Sequence, residues 1–189
     1  MRIIAGKYKG KKIYLPVNKN TRPLRDSLKE SIFNILEHNK TINLKLKDSF
    51  ILDIFSGTGS FGLECFSRGA KEVLFVENYR SALDILEKNI NSLDCSKKSK
   101  IFRNDFFELE KNFFLKSYKF DIIFLDPPFK YTKIYEIIDL ISKMKILKKS
   151  GIILLHRQRD AKDLFPFNYK IINSKKFGIS KIVFGKYSF

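Results

Sequence analysis

Residues 53–62 read Asp53-Ile54-Phe55-Ser56-Gly57-Thr58-Gly59-Ser60-Phe61-Gly62. A carboxylate followed by closely spaced glycines, set between an apolar run and a helical stretch, has the form of a strand-to-helix turn that admits a ligand to the backbone. The G-x-G-x-x-G spelling alone is weak, because a tight turn requiring positive φ uses glycine with no ligand at all. Asp53 narrows the choice. A carboxylate just before the glycines repels a pyrophosphate settling on the next helix N-terminus, which disfavours a nicotinamide dinucleotide. S-adenosylmethionine carries an ammonium and a sulfonium and no phosphate, so the same carboxylate helps it. Glu77, 18 residues beyond Gly59, falls where a ribose-binding acid is expected, and Asp105 is placed to accept from an adenine amine. Asp53, Ser56, Gly57, Thr58, Gly59, Glu77 and Asp105 are the expected cofactor-binding set.

A second group, Asp126-Pro127-Pro128-Phe129, suits a substrate that bears an amine. Two consecutive prolines remove two backbone donors and are expected to leave carbonyls pointing outward. A carboxylate and a carbonyl, each accepting one N–H, would align the amine and free its lone pair to attack a methyl carbon. Phe129 offers a flat face on which an unstacked base can lie. Asp126, Pro127, Pro128 and Phe129 are the expected catalytic group.

These groups need elements to hold them, and the chain supplies an alternation. Apolar runs at Phe50–Phe55, Glu72–Val76, Lys100–Arg103, Phe120–Leu125 and Gly151–Leu155 predict strands. Helices are predicted at Phe61–Ser67, Ser81–Leu93, Phe106–Leu115 and Lys133–Lys145, with an earlier one from Asp26 or Ser27. Ser27 and Glu30 there have the form of a capping box. Tyr169–Asn173 and Ile179–Phe184 predict an antiparallel hairpin. The fold class is doubly wound α/β: a Rossmann-like sheet, mostly parallel, with an antiparallel C-terminal hairpin and a short N-terminal β extension. That extension is predicted as strands Arg2–Ala5 and Lys12–Leu15, followed by a loop over Asn18–Pro23. The expected organisation is a single domain over 1–189, with 1–23 a basic hairpin extension and 24–189 the catalytic core.

The chain has 189 residues and a net charge of +17. It is long enough to bury a core without disulfides or metal, and 19 Phe exclude disorder as the dominant state. No apolar run approaches the ~20 residues of a membrane span, and no signal-peptide pattern opens the chain, so a cytoplasmic protein is expected. Cys65 and Cys95 match no zinc pattern and read as reduced packing residues. Residues 1–50 hold 12 basic and 4 acidic residues, 51–130 hold 12 and 12, and 131–189 hold 13 and 4. Excess cations flanking a neutral centre suit a phosphate-bearing partner; an abundance of Lys from an adenine- and thymine-rich genome is the plainer explanation. Arg2, Lys7, Lys9, Arg22 and Arg25 are the expected RNA contacts, with Lys11 and Lys12 beside them.

The two central motifs, in this order and spacing, resemble class I S-adenosylmethionine-dependent methyltransferases of exocyclic amines. Met1-Arg2-Ile3-Ile4-Ala5-Gly6 and Thr21-Arg22-Pro23-Leu24-Arg25-Asp26, continuing through Glu30 to Phe33-Asn34, resemble the opening of the RsmD family. That resemblance implies methylation of a guanine N2 amine in 16S ribosomal RNA of the small ribosomal subunit. It places Asp53, Gly57 and Gly59 at the methionine end of the cofactor, Glu77 on the ribose, Asp105 on the adenine, and Asp126 to Phe129 around the guanine. The family commonly has an acid at the end of the fifth strand, where this chain has His156. His156 and His38 read as isolated histidines without the usual acidic orienting partner, and so as structural. A monomer without metal or membrane contact is expected. Other readings are an adenine-N6 methyltransferase on DNA or RNA, a protein glutamine methyltransferase, and a catalytically idle RNA-binding assembly factor.

Overall fold

Strands made of uninterrupted apolar residues must be covered on both faces. The computed structural model describes residues 1–16, 24–42 and 44–188. It has one sheet of seven strands in the order β3-β2-β1-β4-β5-β7-β6. The strands are β1 Phe50–Ile54, β2 Glu72–Val76, β3 Ser99–Phe102, β4 Phe120–Leu125, β5 Leu147–Gln158, β6 Tyr169–Phe177 and β7 Ser180–Tyr187. β1 to β5 run parallel, and β7 lies antiparallel between β5 and β6. The helices are α1 Asp26–His38, α2 Ser60–Ser67, α3 Arg80–Ser92, α4 Phe113–Lys116 and α5 Ile134–Met144.

Strand side chains alternate between two apolar clusters. Ile122, Phe124, Ile152, Leu154 and Phe184 join Phe33 of α1, Phe61 of α2 and Leu86 of α3 on one face. Ile123, Leu125, Ile153, Leu155 and Val183 join Ile137 and Ile141 of α5 on the other. The doubly wound sheet and the C-terminal hairpin are therefore as the sequence predicts. β6, the outer strand, carries Lys170, Lys175 and Lys176, and its pairing with β7 slips between Ile171 and Asn173. Both cysteines are buried and unpaired.

Several local expectations are corrected. The Ser27–Glu30 capping box does not form: α1 starts at Asp26 with Arg25 at its N-cap, so Ser27 is already inside the first turn. The predicted helix over 106–115 divides into a 3-10 turn, Phe106–Lys111, and α4, because Asn112 caps α4 by accepting the Leu115 N–H (2.9 Å). β5 begins four residues before the predicted Gly151. The loop predicted at Asn18–Pro23, with Arg22 and the proposed division at residue 23, lies outside the described residues.

The N-terminal arm is held by a buried acid. Glu64 of α2 is fully buried and accepts the N–H groups of Ile4 (2.8 Å) and Ala5 (3.0 Å). Its oxygens also lie 3.0 Å from Arg68 Nε and 3.4 Å from Nζ of the fully buried Lys29. Lys29 donates in turn to the Arg2 carbonyl (2.7 Å). Burial pulls the Lys29 ammonium pKa down, opposed by the charges of Glu64 and Asp26. Because Ile4 and Ala5 give their N–H groups to Glu64, the two predicted strands shrink to a single bridge, Arg2 to Lys12. Gly6 completes the docking: its φ is +79°, and a Cβ there would stand 1.8 Å from the Ser67 carbonyl oxygen.

Removing one partner from a buried ion pair leaves the other charge desolvated and alone, at a cost of about 3–5 kcal/mol. Glu64→Ala is therefore expected to lose about that much stability in urea unfolding. Glu37→Ala, at the more exposed end of the Arg68 contacts (3.0 Å), is expected to lose about 1 kcal/mol or less. Equal losses in the two variants would refute the role given to Glu64.

Candidate active site

In parallel strands held in register, the first polar residue beyond each apolar run falls at the same end of the sheet. Ile54 pairs with Leu125 and Leu125 with Leu155. One step further, Asp126 and His156 stand side by side, His156 Nδ1 lying 2.6 Å from Asp126 Oδ1. The expectation of a His156 without an acidic neighbour is thus wrong; the partner is adjacent in space and 30 residues away in sequence. His38 is exposed at the end of α1.

Carboxyl ends of the strands open on a cavity of about 750 Å³. Asp53, Ser56, Gly57, Thr58, Glu77 and Asp105 line it on one side, and Asp126, Pro127, Pro128, Phe129 and His156 on the other. Asp53 is 1% exposed, and its Oδ2 accepts the Gly62 N–H of α2 (3.0 Å). Burial, then the nearby Asp126 and Glu77 carboxylates, push its pKa well above the usual range, while the Gly62 bond opposes them. Glu77 ties the glycine turn to the end of β2: it accepts from Gly57 N (2.7 Å), Asn78 N (3.0 Å) and Tyr79 N (2.8 Å). Asp105 caps the 3-10 turn by accepting the Phe107 N–H (3.0 Å).

Gly59 is the exception among the expected binding residues. It does not line the cavity; it is the N-cap of α2 at φ 81°, and a Cβ there would meet Leu86 at 2.5 Å. Its glycine identity follows from turn and packing. The proline carbonyls are not equivalent either. Pro128 O accepts from the Tyr131 N–H (2.8 Å) and faces Arg157 (3.4 Å). Among the described residues no such donor reaches Pro127 O, so of the two carbonyls expected to point outward only this one is left for a ligand.

Three residues escaped the sequence reading. Phe55 holds φ 60°, a conformation that costs a bulky residue about 1–3 kcal/mol and that clusters at active sites. Its ring meets Tyr131 edge-on at 5.0 Å, and both line the cavity. Burial and the Asp105 and Glu136 carboxylates push the Tyr131 phenol up to about 12. Arg157, buried on β5, pairs with Asp163 (2.9 Å) and donates to Tyr131 O (2.8 Å), so it fixes the 126–131 loop. No local pattern announces Arg157; only its strand neighbours do.

Of the expected RNA contacts, Arg2, Lys7, Lys9 and Arg25 are exposed, and Arg22 lies outside the described residues. Arg2 lies 3.7 Å from Asp26, and Lys7 stands over the Tyr8 ring at 5.2 Å. Arg25 follows Leu24, which lines the cavity.

A family model described as conserved hypothetical protein 95 matches residues 1–186. The chain belongs to this family. A relative from Haemophilus influenzae named ribosomal RNA small subunit methyltransferase D is 33% identical over 183 residues, 95% of this chain and 90% of that protein. The resemblance to the RsmD family therefore holds over nearly the whole chain. A solved structure, a putative methyltransferase from Escherichia coli, superposes with a TM-score of 0.82 at 24% identity, covering 99% of this chain and 97% of that one. A putative methyltransferase complexed with SAH shares the fold at a TM-score of 0.62 and 15% identity, over 83% of this chain and 48% of that one. Among the described residues no helix is long and apolar enough to cross a membrane.

The raised Asp53 pKa has a stability consequence. Between the ordinary carboxylate pKa of about 3.9 and the higher folded value, folded Asp53 keeps a proton that the unfolded chain has lost, so stability falls as pH rises. Asp53→Asn keeps an acceptor for Gly62 and removes the titration. Its melting temperature is expected to gain on the wild type as pH rises above about 4. A gap that stays constant with pH would count against the upward shift at Asp53.

Proposed function

We infer that this chain is an S-adenosylmethionine-dependent ribosomal RNA methyltransferase acting on the exocyclic N2 amine of a guanine in 16S RNA of the small ribosomal subunit. One observation carries the cofactor reading. In a protein of net charge +17, the main cavity is lined by four carboxylates, Asp53, Glu77, Asp105 and Asp126, and among the described residues by no lysine or arginine. Such a wall favours a ligand of positive charge and disfavours a diphosphate. The neighbouring carboxylates that raise the Asp53 pKa mark a place where a cation relieves repulsion. The ribosomal RNA substrate is supported by the names that similar proteins carry. Guanine, rather than adenine, comes from the RsmD resemblance.

When bound, S-adenosylmethionine supplies an electrophilic methyl group on a sulfonium. Asp53 holds the methionine end with the turn at Ser56, Gly57 and Thr58; Glu77, with three backbone donors on it, has one lone pair left for a ribose hydroxyl, and Asp105 accepts from the adenine amine. Asp126 and the Pro127 carbonyl accept the two N–H groups of the target amine and turn its lone pair toward the methyl carbon. Asp126 or water takes the proton that nitrogen sheds once methylated. Phe129 supports the extruded base by its face. The exposed Arg2, Lys7, Lys9 and Arg25 hold RNA phosphates, a cytoplasmic task for one chain acting alone.

The decisive experiment incubates small ribosomal subunits, from cells lacking the protein, with labelled cofactor and analyses the nucleosides. N2-methylguanosine is the expected product, and N6-methyladenosine would overturn the choice of base. Asp126→Ala is expected to lower turnover about 100-fold or more with cofactor affinity retained by calorimetry. Combined Lys7→Ala, Lys9→Ala and Arg25→Ala changes are expected to weaken RNA binding and flatten its log–log salt slope by about 0.7–0.9 for each phosphate no longer neutralised. An unaltered slope would remove these residues from the RNA surface.

A further inference from the structure

We propose that His156 is a positioning residue: its Nδ1–H holds the Asp126 carboxylate in one orientation and leaves Oδ2 alone to face the target amine. The inference rests on the methyl-transfer reading above. His156 Nδ1 lies 2.6 Å from Asp126 Oδ1, and the His156 side chain is 11% exposed. Among the described residues no other side chain donates to Asp126, whose own N–H bonds the Ile54 carbonyl (3.3 Å). Phe129 packs edge-on against the imidazole at 5.6 Å, so the ring is clamped between two members of the catalytic group.

The tautomer follows from the partners. His156 Nε2 is buried and has no hydrogen-bond partner. A buried N–H without an acceptor is rarer and costlier than a bare acceptor, so the proton sits on Nδ1 and Nε2 keeps a lone pair. Neighbouring groups leave this arrangement alone. Ile182 of β7 stands opposite His156 in the strand pair and carries no charge, and Arg157 is committed to Asp163 and the 126–131 loop. Asp126 is itself one of the acids that act on Asp53 of β1.

A carboxylate free to rotate offers either oxygen at any torsion, whereas one pinned through Oδ1 offers Oδ2 at a fixed angle. In the reaction the N–C bond forms as the C–S bond breaks, sulfur keeps that electron pair, and the surplus proton on nitrogen passes to Asp126 Oδ2. His156 therefore acts on turnover through geometry and touches neither substrate.

His156→Phe preserves the ring and its packing on Phe129 but deletes the donor. It is expected to lower kcat about 10- to 100-fold, with the KM for subunits and the Kd for S-adenosylmethionine essentially unchanged. His156→Asn, whose amide N–H stands where Nδ1–H does, is expected to recover most of kcat; His156→Gln, whose amide mimics Nε2, is not. The Asn and Gln pair keeps the comparison decisive should the Phe variant fold poorly. A second readout needs no turnover: nitrogen-15 spectra of cofactor-free protein are expected to show a protonated Nδ1 and a bare Nε2, with the preference lost in Asp126→Ala. Wild-type kcat in His156→Phe, or an Nε2–H tautomer in the wild type, would overturn the proposal. A wild type with the Nδ1–H tautomer that methylates no RNA would instead overturn the functional reading, and the positioning role with it.

Discussion

Neighbouring strands β1, β4 and β5 keep their apolar residues in step, Ile51 beside Ile122 and Ile122 beside Ile152, and this registration decides where every polar group of the cavity falls. Hydrophobic side chains on two faces set the register, since a slip of one residue would turn each run to the wrong cluster. The polar residues at the strand ends are then carried to one rim. Asp53 reaches α2, Asp126 meets His156, and Glu77 returns to the glycine turn, all as consequences of burying isoleucine and leucine. Packing comes first, and the chemistry is placed by it.

The rim so formed is electrostatically uncomfortable. Four carboxyl groups share one cavity, the Asp53 pKa is held well above its ordinary value, and Phe55 sits in a left-handed conformation. None of these features helps the fold; each is the opposite of what stability alone would select. The surrounding structure compensates by over-determining them. Asp53 has the Gly62 amide, Glu77 has three backbone donors, and Arg157 braces the loop after β4 from the adjacent strand.

Much of this was legible in the sequence, and the failures share a cause. Asp53, Glu77, Asp105 and the Asp126–Phe129 group declare themselves because residue type and place at a strand end suffice to find them. Gly59 stands in the G-x-G-x-x-G pattern but does not line the cavity, because a glycine required by packing against Leu86 is spelled like a glycine required by a ligand. The Asp126–His156 pair and the Arg157 brace depend on which strands are neighbours and in what register. A signal existed: Ile122-Ile123-Phe124-Leu125-Asp126 and Ile152-Ile153-Leu154-Leu155-His156 are the same pattern, and laying one on the other puts the imidazole beside the carboxylate. The capping box failed for a smaller reason, a helix that begins one residue before its supposed cap.

Seven strands leave two open flanks, and the flanks differ. β3 is four residues long, too short to template another chain, whereas β6 is nine residues long and would be a hazard if it were flat and apolar. Its three lysines and the slip between Ile171 and Asn173 blunt it. The three lysines of β6 thereby acquire a purpose that involves no RNA: they discourage strand-to-strand aggregation at high concentration. Neutralising those lysines to sharpen a binding experiment would uncover a sticky border, and turbid samples would be the first symptom.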